Sequence, residues 1–370
     1  MDTSLPWGDS VNLRPSILAL MMGFSPAYMT KLEELSGITA KKQPNSPSRF
    51  FSPDDLFRIA RFRRNRGDVE RLDKQICIAV YLPKGGVGKT TTAIELGVQF
   101  AIQGYSVLMV DLDPQGDMSQ ALGYDPELTD EYAEQIGVPL GLVVNHTISD
   151  LFDLPPVCKK TPLDKVIKKP YGECGPHLIP ADVSLIDFEE YLSIQVGKEN
   201  RLSRLMSDAR DGRLPHMDTS NYDIVIYDCP PGGSTLTTNA LLASDIVVSP
   251  VSLNMFSLKG ISRFGGRLQR LNETFHYNPD VITIPVFFEA KLNRVMDNMG
   301  HLRNHFRETT TENTVRKSED LSAALDARVP VSLLKPKSKV AEDYRMVAAE
   351  VIAKAIKRAS RQMALPGVLK

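Results

Sequence analysis

The segment Lys84-Gly-Gly-Val-Gly-Lys-Thr90 carries the residue types most suited to a defined chemistry. Gly85, Gly86 and Gly88 let the chain turn its amides inward. The N–H groups from Gly85 through Val87, Lys89, Thr90 and Thr91 would then cradle phosphate oxygens, and a helix starting there adds its dipole. Lys89 would neutralise the outer phosphates, and the Thr90 hydroxyl would ligate Mg²⁺. The strict phosphate-loop pattern asks for glycine where this chain has Pro83, and a lysine, Lys84, directly precedes the paired glycines. The competing reading is a glycine-rich turn without a ligand. The flanking sequence argues against it.

A phosphate loop needs a strand before it and a helix after it. Ile76–Leu82 is a short apolar β run, and Thr90–Gln103 is helical and stopped by Gly104. Further buried strands are expected at Val107–Val110 (ending at Asp111), Ile224–Tyr227 (ending at Asp228), Ile246–Val251 and Val281–Phe288. Continuous apolar runs, rather than alternation, imply strands covered on both faces, as in a mostly parallel, doubly wound α/β sheet. The stretch from Asp125 to Val144 reads as an irregular insertion. Ahead of a boundary near Asp73 the pattern is of short helices. Ser16–Met22 is apolar, Ser25-Pro26 opens a helix ended by Gly37, Lys41–Ser48 is a polar loop, and Ser52-Pro53 opens a helix to about Arg66. Residues 1–73 therefore read as a small all-α unit, and 74–370 as the α/β domain.

The 370 residues are 42% hydrophobic and 24% charged, which excludes disordered, collagenous and coiled-coil chains. No apolar run reaches the roughly 20 residues of a membrane span, and the start shows no signal peptide. Cys77, Cys158, Cys174 and Cys229 lack metal or redox spacing, as expected of reduced cytoplasmic thiols. The net charge of −1 argues against a uniformly basic nucleic-acid binder, but charge is segregated. Arg58, Arg61, Arg63, Arg64 and Arg66 form one basic cluster, and the stretch from Arg328 to Arg361 another. Each reads either as a surface for anionic partners or as solvated helix.

Lys84-Gly-Gly-Val-Gly-Lys-Thr-Thr91 resembles the deviant Walker A motif of the ParA/MinD ATPases. The resemblance continues in Val107-Leu-Met-Val-Asp-Leu-Asp-Pro-Gln-Gly116, Tyr222-Asp-Ile-Val-Ile-Tyr-Asp-Cys-Pro-Pro231, Asn239–Asp245 and Pro336-Lys-Ser-Lys339, covering nearly all of the chain from Ile76 onward. Asp-Leu-Asp-Pro-Gln-Gly points to the ParA branch. It implies ATP and Mg²⁺ as cofactors and a nucleotide-sandwich homodimer in which Lys84 reaches the partner's phosphates. Asp228 would hold Mg²⁺ through water, with Asp111 near the metal. Asp113 would orient the attacking water, and a carboxylate positions neutral water weakly, so slow hydrolysis awaits a stimulating partner. The adenine site is expected near Phe287 and Pro336, although Phe287 reads equally as core.

The same resemblance implies sequence-independent DNA contacts from Arg316, Lys335, Lys337, Lys339, Arg345, Lys354, Lys357 and Arg358. Arg316 stands in a degraded form of the family block. The basic last helix, about Val340–Gln362, also invites a membrane-anchor reading, but it lacks large aromatics apart from Tyr344 and its apolar stripe suits packing on the sheet. The N-terminal segment is similar to the helix-turn-helix extension of longer plasmid-type members. A helical dimerisation arm is the alternative. The function implied is segregation of plasmid or chromosome DNA, cytoplasmic and nucleoid-associated, with a ParB-like centromere-binding partner and repression of the protein's own promoter. A nucleotide-sensing transcription regulator is the rival. An iron–sulfur carrier lacks support, because Cys229 has no suitably spaced companion.

Overall fold

The computed structural model describes residues 11–42, 48–154, 160–253 and 258–363. The first residues of the chain, Cys158 and the middle of the 41–48 loop lie outside them. The N-terminal region comprises α1 (Pro15–Met21), α2 (Pro26–Ser36), β1 (Lys41–Lys42), β2 (Arg49–Phe50) and α3 (Pro53–Asn65). The α/β domain begins with β3 (Ile76–Val80), α4 (Lys89–Ile102), β4 (Val107–Asp111), α5 (Asp117–Ala121), α6 (Asp130–Ile136), α7 (Leu163–Val166) and β5 (His177–Ile179). It continues through α8 (Ser184–Ser193), α9 (Arg201–Arg210), β6 (Ile224–Asp228), α10 (Thr235–Leu242), β7 (Ile246–Ser252) and α11 (Leu258–Phe275). β8 (Asp280–Val286), α12 (Asn293–Phe306), α13 (Glu319–Asp326), α14 (Val331–Leu334) and α15 (Lys339–Met363) complete it.

Six strands form a sheet in the order β5-β4-β6-β3-β7-β8, and every pairing in it is parallel. Strand periodicity divides the apolar residues between two cores. Ile76, Ile78 and Val80 face α4 and α15, whereas Cys77, Ala79 and Tyr81 face the layer containing α8 to α12. This is the doubly wound sheet expected from the unbroken apolar runs. β5 escapes sequence reading because it has three residues, follows a Gly/Pro-rich stretch and lies at the sheet edge. The 125–144 stretch is less irregular than expected. It contains α6, capped by Thr129, and is closed by a bridge between Asp125 and Val143.

The N-terminal region is not all helical. β1 and β2 pair antiparallel, Lys41 with Phe50 and Lys42 with Arg49, making a small wing after α2. Arg49 ties this wing to Glu33 of α2. Proline at the first helical position starts α2, and Gly37, at φ 70°, ends it. Ser52 and Asp55 form a reciprocal capping box at the start of α3.

The arginines of α3 depart further from expectation. Arg61 bonds Ser106, Arg64 pairs with Asp223, and Arg66 engages Asp68 and Tyr28. Arg63 lies over the Phe24 ring at 5.1 Å, and Arg58 reaches Asp55 at 3.5 Å. Most of this basic cluster is therefore a set of intramolecular staples, two of them onto the α/β domain. The core is continuous from Phe51, Leu56 and Phe57 to Phe100 and Ile102 of α4. Gly104 permits the close approach: its φ is 98°, and a Cβ there would lie 2.7 Å from the Ala60 carbonyl oxygen. Arg64→Ala should cost about 3 kcal/mol, because it removes the ion-pair partner of the largely buried Asp223 carboxylate, which keeps only the Ser106 amide among the hydrogen bonds described. Denaturant unfolding checks this, and a loss below about 0.5 kcal/mol would make the pair a surface contact.

Candidate nucleotide site

The phosphate loop leaves the end of β3, between the ends of β6 and β7, where the strand order reverses. Such a crevice is where open parallel sheets place ligands. Gly86 and Gly88 have φ of 67° and 73°, conformations that other residues adopt at a cost. Gly88 also caps α4, so the unpaired amides of the first helical turn open onto the loop. Phe287 packs against this cap: a Cβ at Gly88 would lie 3.4 Å from its ring. Phe287 itself has φ of 54°. It supports the loop.

A cavity of 770 Å³ lies over the loop, bounded by residues 85–91, Asp113 and Pro231. Gln115, Asp117, Leu325, Asp326 and Arg328 are among the further residues of its wall. None of these five is an expected site residue: Gln115 and Asp117 lie just beyond Asp113 in the chain, whereas Leu325, Asp326 and Arg328, from α13 and its C-terminal turn, reach the cavity only through tertiary packing. Lys89 is buried and donates to the Lys84 carbonyl oxygen at 3.1 Å. Burial lowers its pKa, with Asp228 and Asp113 acting against that effect. Lys84 lines a different cavity, not the one over the loop.

The three aspartates have distinct environments. Asp113 is half-buried on the cavity wall, accepts the Gln115 amide at 3.1 Å, and is raised in pKa chiefly by burial. Asp111 lies behind it, fully buried. Its carboxylate accepts the Ser119 amide at 3.0 Å, the Ser119 hydroxyl at 2.8 Å and the Asp113 amide at 3.2 Å. It shapes the loop that presents Asp113 and does not line the cavity. Asp228 is also fully buried, and neither carboxylate oxygen has a well-formed hydrogen bond among the described residues. The Thr90 hydroxyl stands beside it, lowering a pKa that burial and Asp111 drive well above the ordinary range. A stranded buried carboxylate next to a hydroxyl fits a divalent cation. Thr90 and Asp228 would hold Mg²⁺, which when bound neutralises charge developing on the phosphate oxygens.

The remaining expected site residues are dispersed. Pro336 lines a separate groove against Asn12, Leu13 and Ile17 of the N-terminal region. Arg316 is held by both oxygens of Asp343 at 2.6 and 2.7 Å. Lys335 pairs with Asp320 at 2.6 Å and Lys339 with Glu342 at 3.1 Å. Arg345 donates to the Pro336 carbonyl at 3.3 Å, and Arg358 to the Asn278 carbonyl at 3.0 Å. Lys337, Lys354 and Lys357 make no ion pair among the described residues. The apolar stripe of α15, including Val347, Val351 and Ala355, is buried in the core shared with α4. No helix among the described residues is long and apolar enough to cross a membrane.

A family profile described as an AAA domain matches residues 75–282. The sporulation initiation inhibitor protein Soj of Bacillus subtilis is 30% identical over 279 residues, 75% of this chain and 98% of the relative. The chain belongs to the ParA-type partition ATPases. The cell division protein PomZ of Myxococcus xanthus is 26% identical over 91% of this chain and 96% of its own length. Among solved structures, cobyrinic acid a,c-diamide synthase of Mycobacterium smegmatis with bound ADP and magnesium has a TM-score of 0.57 at 24% identity, over 75% of this chain and 94% of the other. That likeness is one of fold. As a member of the family this protein is an ATPase using ATP and Mg²⁺, in keeping with the phosphate loop and the stranded Asp228.

Proposed function

We propose that this partition ATPase dimerises around ATP, coats DNA without sequence preference and segregates plasmid or chromosome DNA. A ParB-like centromere-binding partner stimulates its slow hydrolysis, in the cytoplasm at the nucleoid. The observation that carries the reading is the position of Lys84. Lys84 lines a cavity other than the one over its own phosphate loop, which suits a charge delivered to a partner's nucleotide. Asp113 orients the water, and residues 85–91 hold the phosphates. The adenine would lie toward the ends of the later strands, with Phe287 and Pro336 as the expected neighbours.

α1, α2 and the β1/β2 wing form a DNA-reading unit in this proposal, with α2 in the major groove for repression of the protein's own promoter. Thr30 and Lys31 are exposed on α2, and Lys41 and Lys42 on the wing. Because the core runs unbroken into the α/β domain, point substitutions test this more cleanly than truncation. With ATP, Lys354→Glu and Lys357→Glu together should lower the slope of log affinity against log salt by roughly two on random duplex. Promoter preference in ADP should survive. Thr30→Ala with Lys31→Ala should do the reverse. Salt titrations on both duplexes check this. Promoter binding with no stimulation of hydrolysis by a ParB-like protein and DNA would favour a nucleotide-sensing regulator.

A further inference from the structure

A second cavity, of 530 Å³, also borders the phosphate loop, at Lys84 and Val87. Its walls include Lys84 from the loop and Arg263, Arg267 and Arg270 from α11, and no carboxylate lines it among the described residues. The arginines recur at three- and four-residue spacing, which places them along one helix face. Arg267 is held in position: it donates to the Tyr81 hydroxyl at 2.7 Å and the Thr238 hydroxyl at 3.0 Å, and lies over the Tyr81 ring at 5.2 Å. Those partners are uncharged, so they orient the guanidinium and leave its charge uncompensated. Gly233 keeps the space open, since a Cβ there would lie 2.7 Å from Arg267. Ser252 adds an independent sign. It lines the same cavity, is 3% exposed, and its hydroxyl has no hydrogen-bond partner among the described residues.

A recess whose charged lining residues are all cations concentrates anions, and arginine forks match phosphate oxygens. We infer that this cavity is a second anion site that takes phosphate groups, distinct from the phosphate loop's own cradle. Arg263 and Arg270 at its rim recruit the ligand, while Arg267 and Ser252 bind a phosphate deeper in. The phosphates belong either to a small polyphosphate or to a DNA backbone. The site does not depend on the partition reading.

The test is calorimetric titration of full-length, ADP-saturated protein with inorganic tripolyphosphate in metal-free, low-salt buffer. One further binding event is expected. Arg263→Ala with Arg270→Ala should weaken it at least tenfold while leaving basal ATP hydrolysis and thermal unfolding unchanged. Ser252→Ala should weaken it by a smaller factor. Lys89→Ala, which empties the phosphate loop, should retain it, so failure of the ATPase reading leaves this result standing. Displacement by short duplex DNA, with a salt slope about two lower in the double arginine variant, would assign the phosphates to DNA. Displacement by nucleoside triphosphate alone would assign them to a small molecule. No binding beyond ADP exchange, or equal binding by the double variant, would overturn the site.

Discussion

Lys84→Ala should abolish ATP-dependent dimers and lower partner-stimulated hydrolysis by about 10³-fold, the scale of a cationic group supplied in trans to phosphoryl transfer. Nucleotide binding by the single chain should survive, because Lys89 and the loop amides remain. The expectation follows from geometry. Lys89 is buried beneath its own loop, with Asp113 and Asp228 near enough to affect its pKa. Lys84 lines a different cavity. The Lys84 carbonyl oxygen accepts the Lys89 ammonium at 3.1 Å, a bond that substitution of the Lys84 side chain leaves in place. Sedimentation with a slowly hydrolysed ATP analogue, beside steady-state turnover, provides the measurement. Normal dimers in the variant would remove the cross-dimer role.

Asp228→Asn should divide catalysis from stability. Hydrolysis with Mg²⁺ should fall by about 10³-fold, since metal stabilisation of transition-state charge is worth several kcal/mol. The nucleotide-free protein should become more stable by about 1–3 kcal/mol, because a neutral amide removes the desolvation cost of the buried carboxylate charge. The sign also predicts a pH effect. Burial and Asp111 raise the folded-state pKa of Asp228 above its unfolded value. Its protonated form therefore favours folding at low pH, and that contribution is lost as pH rises through the folded pKa. The variant should show a shallower loss of apo stability on going from acid to neutral pH. Thermal unfolding with and without Mg²⁺ and ATP separates these effects. Wild-type turnover, or an apo form that is less stable, would show that Asp228 is not the stranded metal partner.

Local sequence carried the information for the phosphate loop and the sheet. Glycines forced by positive φ, a cap, and strands apolar on every residue are dictated by short-range sterics and two-sided burial, so Gly86, Gly88, Lys89, Thr90 and the ends of β3, β4 and β6 were legible without coordinates. The motif blocks at Val107–Gly116 and Tyr222–Pro231 identified the family for the same reason: their residues are consecutive. Long-range packing decided the rest. Arg61 and Arg64 read as a basic surface until Ser106 and Asp223 arrive from distant segments. Ser119, eight positions on from Asp111, occupies a carboxylate that sequence reasoning assigned to the metal's surroundings. Arg316 and Asp343 meet across α13 and α14. That Arg328 lines the nucleotide cavity, and Arg263, Arg267 and Arg270 the second one, has no sequence signature. Charge along a helix looks the same in one dimension whether it is paired, solvated or turned inward. Only the three-dimensional position of the opposing group, and the burial that comes with it, distinguishes these cases.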